Sequence, residues 1–340
     1  MSKILVTGGT GYIGSHTAVE LLNVGFEVVI IDDLSNSELS VLDGIEEITG
    51  KRPSFAQFDL IDKSALESFF REHQNISGII HFAAKKAVGE SVQQPLMYYR
   101  NNFDSLLNLL EMMSVHKIPN IVFSSSCTVY GQPDKLPVTE DTPFQPAESP
   151  YGYSKQVCEI ILRDACIADQ SLNAIALRYF NPTGAHESAI IGELPKGVPA
   201  NLVPFITQTA AGIRKQLKVF GNDYDTPDGS AVRDYIHVVD LAKAHVVALN
   251  RQLKQNQKSN YEFFNIGTGQ GNSVLEVVKT FERVNDLKLN YQIVERRSGD
   301  IENIYADTTL ANEELGWSAE LGIEEMLTSA WKWQQKLSNQ

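Results

Sequence analysis

Along the first half of the chain, short runs that are apolar at nearly every residue alternate with longer stretches that are apolar every third or fourth residue. The runs are KILVTG (3–8), EVVIID (27–32), SFAQFDL (54–60), GIIHFAA (78–84), NIVFSSS (120–126) and NAIALRYF (173–180). Strands this uniformly apolar are buried on both faces, as in parallel sheets covered by helices. The stretches between them, such as SHTAVELLNVG (15–25) and KSALESFFREH (63–73), have helical spacing. With right-handed crossovers this alternation predicts an α/β fold: a doubly wound (Rossmann) parallel sheet with ligands at the carboxyl ends of its strands.

The rhythm breaks after residue 181. Residues 182–236 are rich in Gly, Pro and Asn, with one helical piece near 203–214. Helical spacing returns at 237–250 and a strand pattern at 261–267, and both are expected to rejoin the first sheet. Two helical patterns, 273–284 and 322–337, fill the tail. The expected organisation is a Rossmann domain of residues 1–181 plus about 237–267. A smaller, ligand-facing α/β domain takes 182–236 and 268–340.

Charge narrows the partners. Against 42 Asp and Glu stand 29 Lys and Arg, a net charge of -13. An acidic surface repels polyanions, so nucleic acid and anionic membranes are not expected partners. Any phosphorylated ligand must be held by particular arginines and helix N-termini. The three cysteines, Cys127, Cys158 and Cys166, lack metal-type spacing and suggest reduced thiols. No metal site is expected. No signal-like segment or membrane-length apolar run is read in the sequence, so a cytoplasmic location is expected.

Two stretches carry candidate chemistry. TGGTGYIG (7–14) follows a strand and opens a helix, with Gly8, Gly11 and Gly14 spaced three apart. The first permits a tight turn, the second close approach of backbone to a pyrophosphate, and the third packing of the helix on the strand. Asp32 ends the next strand, where a ribose-diol acceptor is expected. Asp33 follows, not Arg or Lys, which favours NAD over NADP. Further on, FSSSCTVYG (123–131) places Ser126 at the carboxyl edge of the sheet, with Cys127 facing away by strand alternation. In SPYGYSK (149–155), Pro150 fits the first helical position, which makes Tyr151 and Lys155 an i, i+4 pair. Tyr153 points elsewhere. A lysine cation and a positive nicotinamide would both favour the phenolate, so Tyr151 is the candidate general base and Ser126 its hydroxyl partner.

TGGTGYIG, SSSCTVYG and SPYGYSK together resemble the extended short-chain dehydrogenase/reductase superfamily. HFAAKKAVGES (81–91), LRYFNPTGAH (177–186), GNDYDTPDGSAVRDYIHVVDLA (221–242) and ERRSGD (295–300) narrow the resemblance to its UDP-glucose 4-epimerase family, across essentially the whole chain. The resemblance implies an enzyme in which NAD takes hydride from C4 of a UDP-hexose while Tyr151 removes the 4-hydroxyl proton. The 4-keto sugar then turns, and hydride returns to its other face. It implies further cofactor contacts at Tyr12, Ile13, Asn36, Ser37, Asp59, Leu60, Phe82, Ala83, Lys86, Asn101 and Phe180, besides Ser126, Tyr151 and Lys155. It makes the smaller domain the UDP-sugar-binding one, with contacts at Lys86, Ser126, Tyr151, Asn181, Asn201, Leu202, Phe220, Arg233, Tyr235, Arg297, Asp300 and Ile304. A homodimer is expected from the family as well. Members restricted to non-acetylated sugars carry a large Tyr at the position of Ile304, and members accepting N-acetylhexosamines a small residue. Ile304 is intermediate in size, which leaves turnover of UDP-GlcNAc or UDP-GalNAc open, with some activity as the working expectation.

Rival readings are an epimerase of UDP-glucuronate or a UDP-pentose, a 4,6-dehydratase and a non-catalytic NAD-binding regulator. The dehydratase branch has an Asp-Glu pair directly after its active-site hydroxyl residue, where this chain has Cys127-Thr128. A regulator would be expected to have lost the Tyr or the Lys. His81 and His237 are read as structural.

Overall fold

The structure, a computed structural model, describes residues 2–296 and 301–339. Its first half runs β1 (Lys3–Thr7), α1 (Tyr12–Asn23), β2 (Glu27–Asp32), α2 (Val41–Thr49), β3 (Ser54–Gln57), α3 (Lys63–Glu72) and β4 (Ile76–His81). Then come α4 (Val88–Gln93), α5 (Pro95–His116), β5 (Asn120–Ser124), α6 (Pro150–Ala168) and β6 (Asn173–Tyr179). The strand read at 54–60 stops at Gln57, and the one read at 120–126 stops at Ser124.

The second half contains β7 (Asn181–Thr183), α7 (Leu202–Ala210), β8 (Leu217–Phe220), β9 (Val232–His237), α8 (Val238–Leu253) and β10 (Tyr261–Ile266). It ends with β11 (Gly271–Ser273), α9 (Val274–Val284), β12 (Tyr291–Val294), β13 (Asn303–Ile304) and α10 (Ile323–Ser338).

Seven strands form one parallel sheet in the order β10-β6-β5-β4-β1-β2-β3. Alternate side chains of a single strand feed two separate cores. Ile4 and Val6 pack with α1 and α8, whereas Leu5 packs with α3, α5 and α6. This two-sided burial is why the strands read as apolar at every position. Each Ile or Leu so buried contributes roughly 1.5–3 kcal/mol.

The strand order reverses between β1 and β4, which opens a crevice at their carboxyl ends. Above it stands a second sheet, β11-β9-β13, with β7 also paired to β9. A third core packs α7, α9 and α10 around Val219, Tyr235 and Phe281. Among the described residues no helix is long and apolar enough to cross a membrane.

Candidate active site

The crevice begins at the glycine loop. Gly8 has φ +69°, and a Cβ there would lie 2.8 Å from the Ala83 nitrogen, so the turn needs glycine. A Cβ at Gly14 would lie 2.2 Å from the Gly8 carbonyl oxygen, so only glycine lets α1 start this close to the loop. Gly11 caps α1 with no side chain to accept from its first-turn N–H groups. These unpaired donors and the helix dipole fit a pyrophosphate. Ile13 packs into the first core, and the Tyr12 hydroxyl donates to the Gly184 carbonyl at 2.6 Å.

Asp32 is 9% exposed and fixed from three sides: its carboxylate accepts from Thr10 N at 3.1 Å, Leu34 N at 2.9 Å and Ser37 Oγ at 3.0 Å. Held this way, it fits a ribose diol and opposes a 2′-phosphate. Asn36 is exposed beside it. Local sequence had shown no cation here, yet the fold brings two. Lys85 Nζ reaches Ser35 Oγ at 3.3 Å, and Lys196 Nζ reaches the Leu34 and Ser35 carbonyls at 2.9 and 3.2 Å. Asp59 and Leu60 follow β3, Phe82 and Ala83 follow β4, and Lys86 is exposed further along that loop. Asn101 is half-buried on α5. Its neighbour Asn102, missed in the sequence, accepts from Lys85 N at 2.8 Å and donates to Ser154 Oγ at 2.9 Å, tying the β4 loop to α6.

At the reaction centre, the Ser149 side chain caps α6 and Pro150 occupies its first turn. Tyr151 is 7% exposed and Lys155 3%. Lys155 Nζ donates to the Ser124 carbonyl at 2.6 Å and stands 6.0 Å from the centre of the Tyr151 ring. Burial lowers the Lys155 ammonium to about 8. Burial also pushes the Tyr151 phenol well above its ordinary value, with Tyr179 adding to the rise and the Ser126 hydroxyl opposing it. In the protein alone, burial is the largest influence on the Tyr151 phenol, and the Lys155 ammonium is turned toward a backbone carbonyl.

Ser126 is not on a strand. It caps a short 3₁₀ turn, Cys127–Tyr130, with its Oγ accepting from Thr128 N at 3.2 Å. Strand alternation therefore does not place Cys127. The turn buries it with Val129, Tyr130, Val138, Phe180 and Ile304. His81 donates to or accepts from Thr7 Oγ1 at 2.7 Å, and burial followed by the Lys155 charge lowers it to about 3. His237 caps α8 through a hydrogen bond from Val239 N.

Strand β9 organises the opposite wall. In register, Asn181 faces Tyr235 and Ile304 faces Arg233, so β7 and β13, far apart in sequence, meet on one strand. Tyr235 is buried, Arg233 half-buried, and Phe220 partly exposed at the end of β8. Asn201 caps α7, directly before Leu202, and donates to Glu193 Oε1 at 2.7 Å. Glu193 was missed in the sequence; burial raises its carboxyl, and the Lys86 charge opposes that rise. Asp234 was missed as well. It is fully buried and accepts from Thr268 N and Oγ1, Gly269 N and Ala306 N, which fixes the loops around β9. Arg297 and Asp300 lie outside the described residues.

Comparison with known proteins bears directly on this geometry. Residues 5–330 match the family model described as GDP-mannose 4,6 dehydratase. The UDP-glucose 4-epimerase of Haemophilus influenzae is 52% identical over 331 residues, 97% of either chain. The human UDP-glucose 4-epimerase is 50% identical over 340 residues, covering 98% of this chain and 97% of its own. The chain belongs to the UDP-glucose 4-epimerase family. A crystal structure of the Bifidobacterium longum UDP-glucose 4-epimerase in complex with NAD+ and UDP superposes with a TM-score of 0.95 at 49% identity, covering 99% of each chain. The family model bears a dehydratase's description, but here the two residues after Ser126 are the thiol Cys127 and the hydroxyl Thr128.

Proposed function

We propose that this protein interconverts UDP-glucose and UDP-galactose with NAD as its resident cofactor, and so serves galactose and UDP-sugar metabolism. The observation that carries the reading is the assembly of Ser126, Tyr151 and Lys155 at the carboxyl edge of the sheet, beside a glycine cradle that a Cβ would fill. NAD, when bound, supplies the acceptor for hydride from sugar C4 and its donor on the return. Tyr151 takes the 4-hydroxyl proton and later gives it back, with Ser126 hydrogen-bonded to the same oxygen. Lys155 holds positive charge beside them. Asn181, Arg233 and Tyr235 grip the UDP portion, which leaves the 4-keto sugar free to turn. Arg233 supplies the local cation that an acidic protein needs for a diphosphate.

Product analysis with UDP-galactose, UDP-glucose, UDP-GlcNAc and UDP-glucuronate tests this. UDP-galactose and UDP-glucose are expected to interconvert, while UDP-glucuronate stays intact. Slower conversion of UDP-GlcNAc is expected as well. Ile304 carries no ring where the members restricted to non-acetylated sugars carry a large Tyr, and it is packed among Cys127, Phe180 and Ala306. No conversion of UDP-GlcNAc at high enzyme would sink that part. Inactivity on all four would favour the regulator.

A homodimer built on α5 and α6 is part of the proposal. These helices pack together, and their outer surface exposes Leu96, Leu107, Tyr153, Ile160 and Ile167. Sedimentation is expected to give twice the chain mass, with Ile160→Asp shifting it toward monomer. A wild type at monomer mass would refute this. Three buried, unpaired cysteines support a cytoplasmic location.

A further inference from the structure

The three serines from the end of β5, Ser124 to Ser126, all approach the same face of α6. The Ser124 carbonyl accepts from Lys155 Nζ at 2.6 Å. The Ser125 hydroxyl donates to Glu159 Oε1 at 2.5 Å. The Ser126 hydroxyl stands near enough to the Tyr151 phenol to oppose the rise of its pKa. Tyr151, Lys155 and Glu159 are spaced i, i+4, i+8 and form one stripe along the helix. Arg178 grips the Glu159 carboxylate through Nε and Nη2 at 2.7 to 3.2 Å, and the Tyr261 hydroxyl donates to it at 3.0 Å. Arg178 stands directly before Tyr179, whose hydroxyl shares a 2.7 Å hydrogen bond with Ser124 Oγ.

The side chains of Glu159 and Arg178 are 2% and 5% exposed. A pair this dry is expensive to desolvate, and well-packed apolar residues in such a place are often as stable or more so. Stability alone therefore does not account for the charges. Their placement does: β5 has ended at Ser124, Ser125 keeps one backbone tie to β6, its N–H donating to the Leu177 carbonyl at 3.0 Å, and the Ser125 hydroxyl adds the tie to α6.

We propose that Glu159 and Arg178 are positioning residues for the reaction: the pair holds Ser125, and through its backbone sets the Ser126 hydroxyl against Tyr151. The proposal rests on the epimerisation reading above. Neither residue touches substrate, so loosening the tie acts on the chemical step and leaves the grip on UDP intact. Displacements of about 1 Å at a reacting centre can cost roughly 100-fold.

Two variants each delete one hydroxyl donor to Glu159 and keep its pairing with Arg178: Ser125→Ala and Tyr261→Phe. For both, kcat, KM for UDP-galactose, UDP affinity by calorimetry and the thermal midpoint are measured. Ser125→Ala is expected to lower kcat about tenfold, with KM and UDP affinity within about twofold of wild type. Tyr261→Phe is expected to keep wild-type kcat despite a similar fall in thermal midpoint. Equal kcat in the two variants, or a Ser125→Ala loss shared by UDP affinity, overturns the proposal. A wild type that binds UDP but leaves UDP-galactose unchanged overturns both this and the functional reading. An active wild type matched by Ser125→Ala overturns this alone.

Discussion

Tyr151→Phe is expected to lower kcat for UDP-galactose by about 10²–10⁴-fold, the usual worth of a positioned acid–base group. UDP affinity should stay within a few-fold of wild type. Phenylalanine fills the same 7%-exposed site, so the fold survives and the loss is chemical. Tyr153→Phe, two residues away, should keep near wild-type turnover. Tyr153 is half exposed, with its ring 5.9 Å edge-on from Tyr99 and turned from the crevice. Burial holds the Tyr151 phenol neutral, and the Lys155 ammonium is committed to the Ser124 carbonyl. Ionisation of Tyr151 therefore depends on a positive charge arriving with the cofactor. More than a tenth of wild-type kcat in Tyr151→Phe would show that another group removes the proton.

The largest loss of stability is expected from Glu159→Ala, at about 3–5 kcal/mol in urea unfolding. The change strands the Arg178 guanidinium at 5% side-chain exposure and orphans the Ser125 and Tyr261 hydroxyls. Arg178 keeps Tyr130 Oη at 3.0 Å, the Glu140 carbonyl at 3.4 Å and the faces of Tyr130, Phe144 and Phe263, none of which carries a compensating charge. An unpaired buried charge costs far more than a lost hydrogen bond. Glu159→Leu combined with Arg178→Met should regain most of that stability, since both charges leave together. Its kcat should remain depressed, because Ser125 has lost its acceptor. A Glu159→Ala protein within about 1 kcal/mol of wild type would mean that water reaches the guanidinium, contrary to its burial.

The sheet was legible in the sequence because a strand buried on both faces is apolar at most of its positions. The pairing of Tyr151 with Lys155 was legible because a Pro150 start and helical spacing fix both residues locally. The cofactor loop could be read because its glycine spacing is local, although Gly8 also answers to Ala83 just past β4. Harder to read were residues whose role depends on partners far along the chain. Glu159, Arg178 and Ser125 look like ordinary helix, strand and turn residues until the fold brings them together. Asp234 looks like a strand acid until four donors from two distant loops converge on it. Cys127 is a packing residue as its sequence position suggests, but strand alternation is not the reason. Ser126 caps a 3₁₀ turn, and capping competes locally with strand continuation. Spacing gives the proximity of Tyr151 to Lys155 but not the direction its ammonium faces, which is toward the Ser124 carbonyl.

Only Phe180 separates β6, in the seven-stranded sheet, from β7, in the sheet above it. That residue is 3% exposed and its N–H donates to the Ile266 carbonyl at 3.2 Å. The return crossing is as short, since β9 passes through His237 directly into α8. Neither crossing has the slack of a hinge, so wide opening and closing of the cleft would break strand pairing at both ends. The freedom that lets a keto sugar present its second face must then lie in the sugar and its glycosyl–diphosphate bonds, turning inside a frame that stays still.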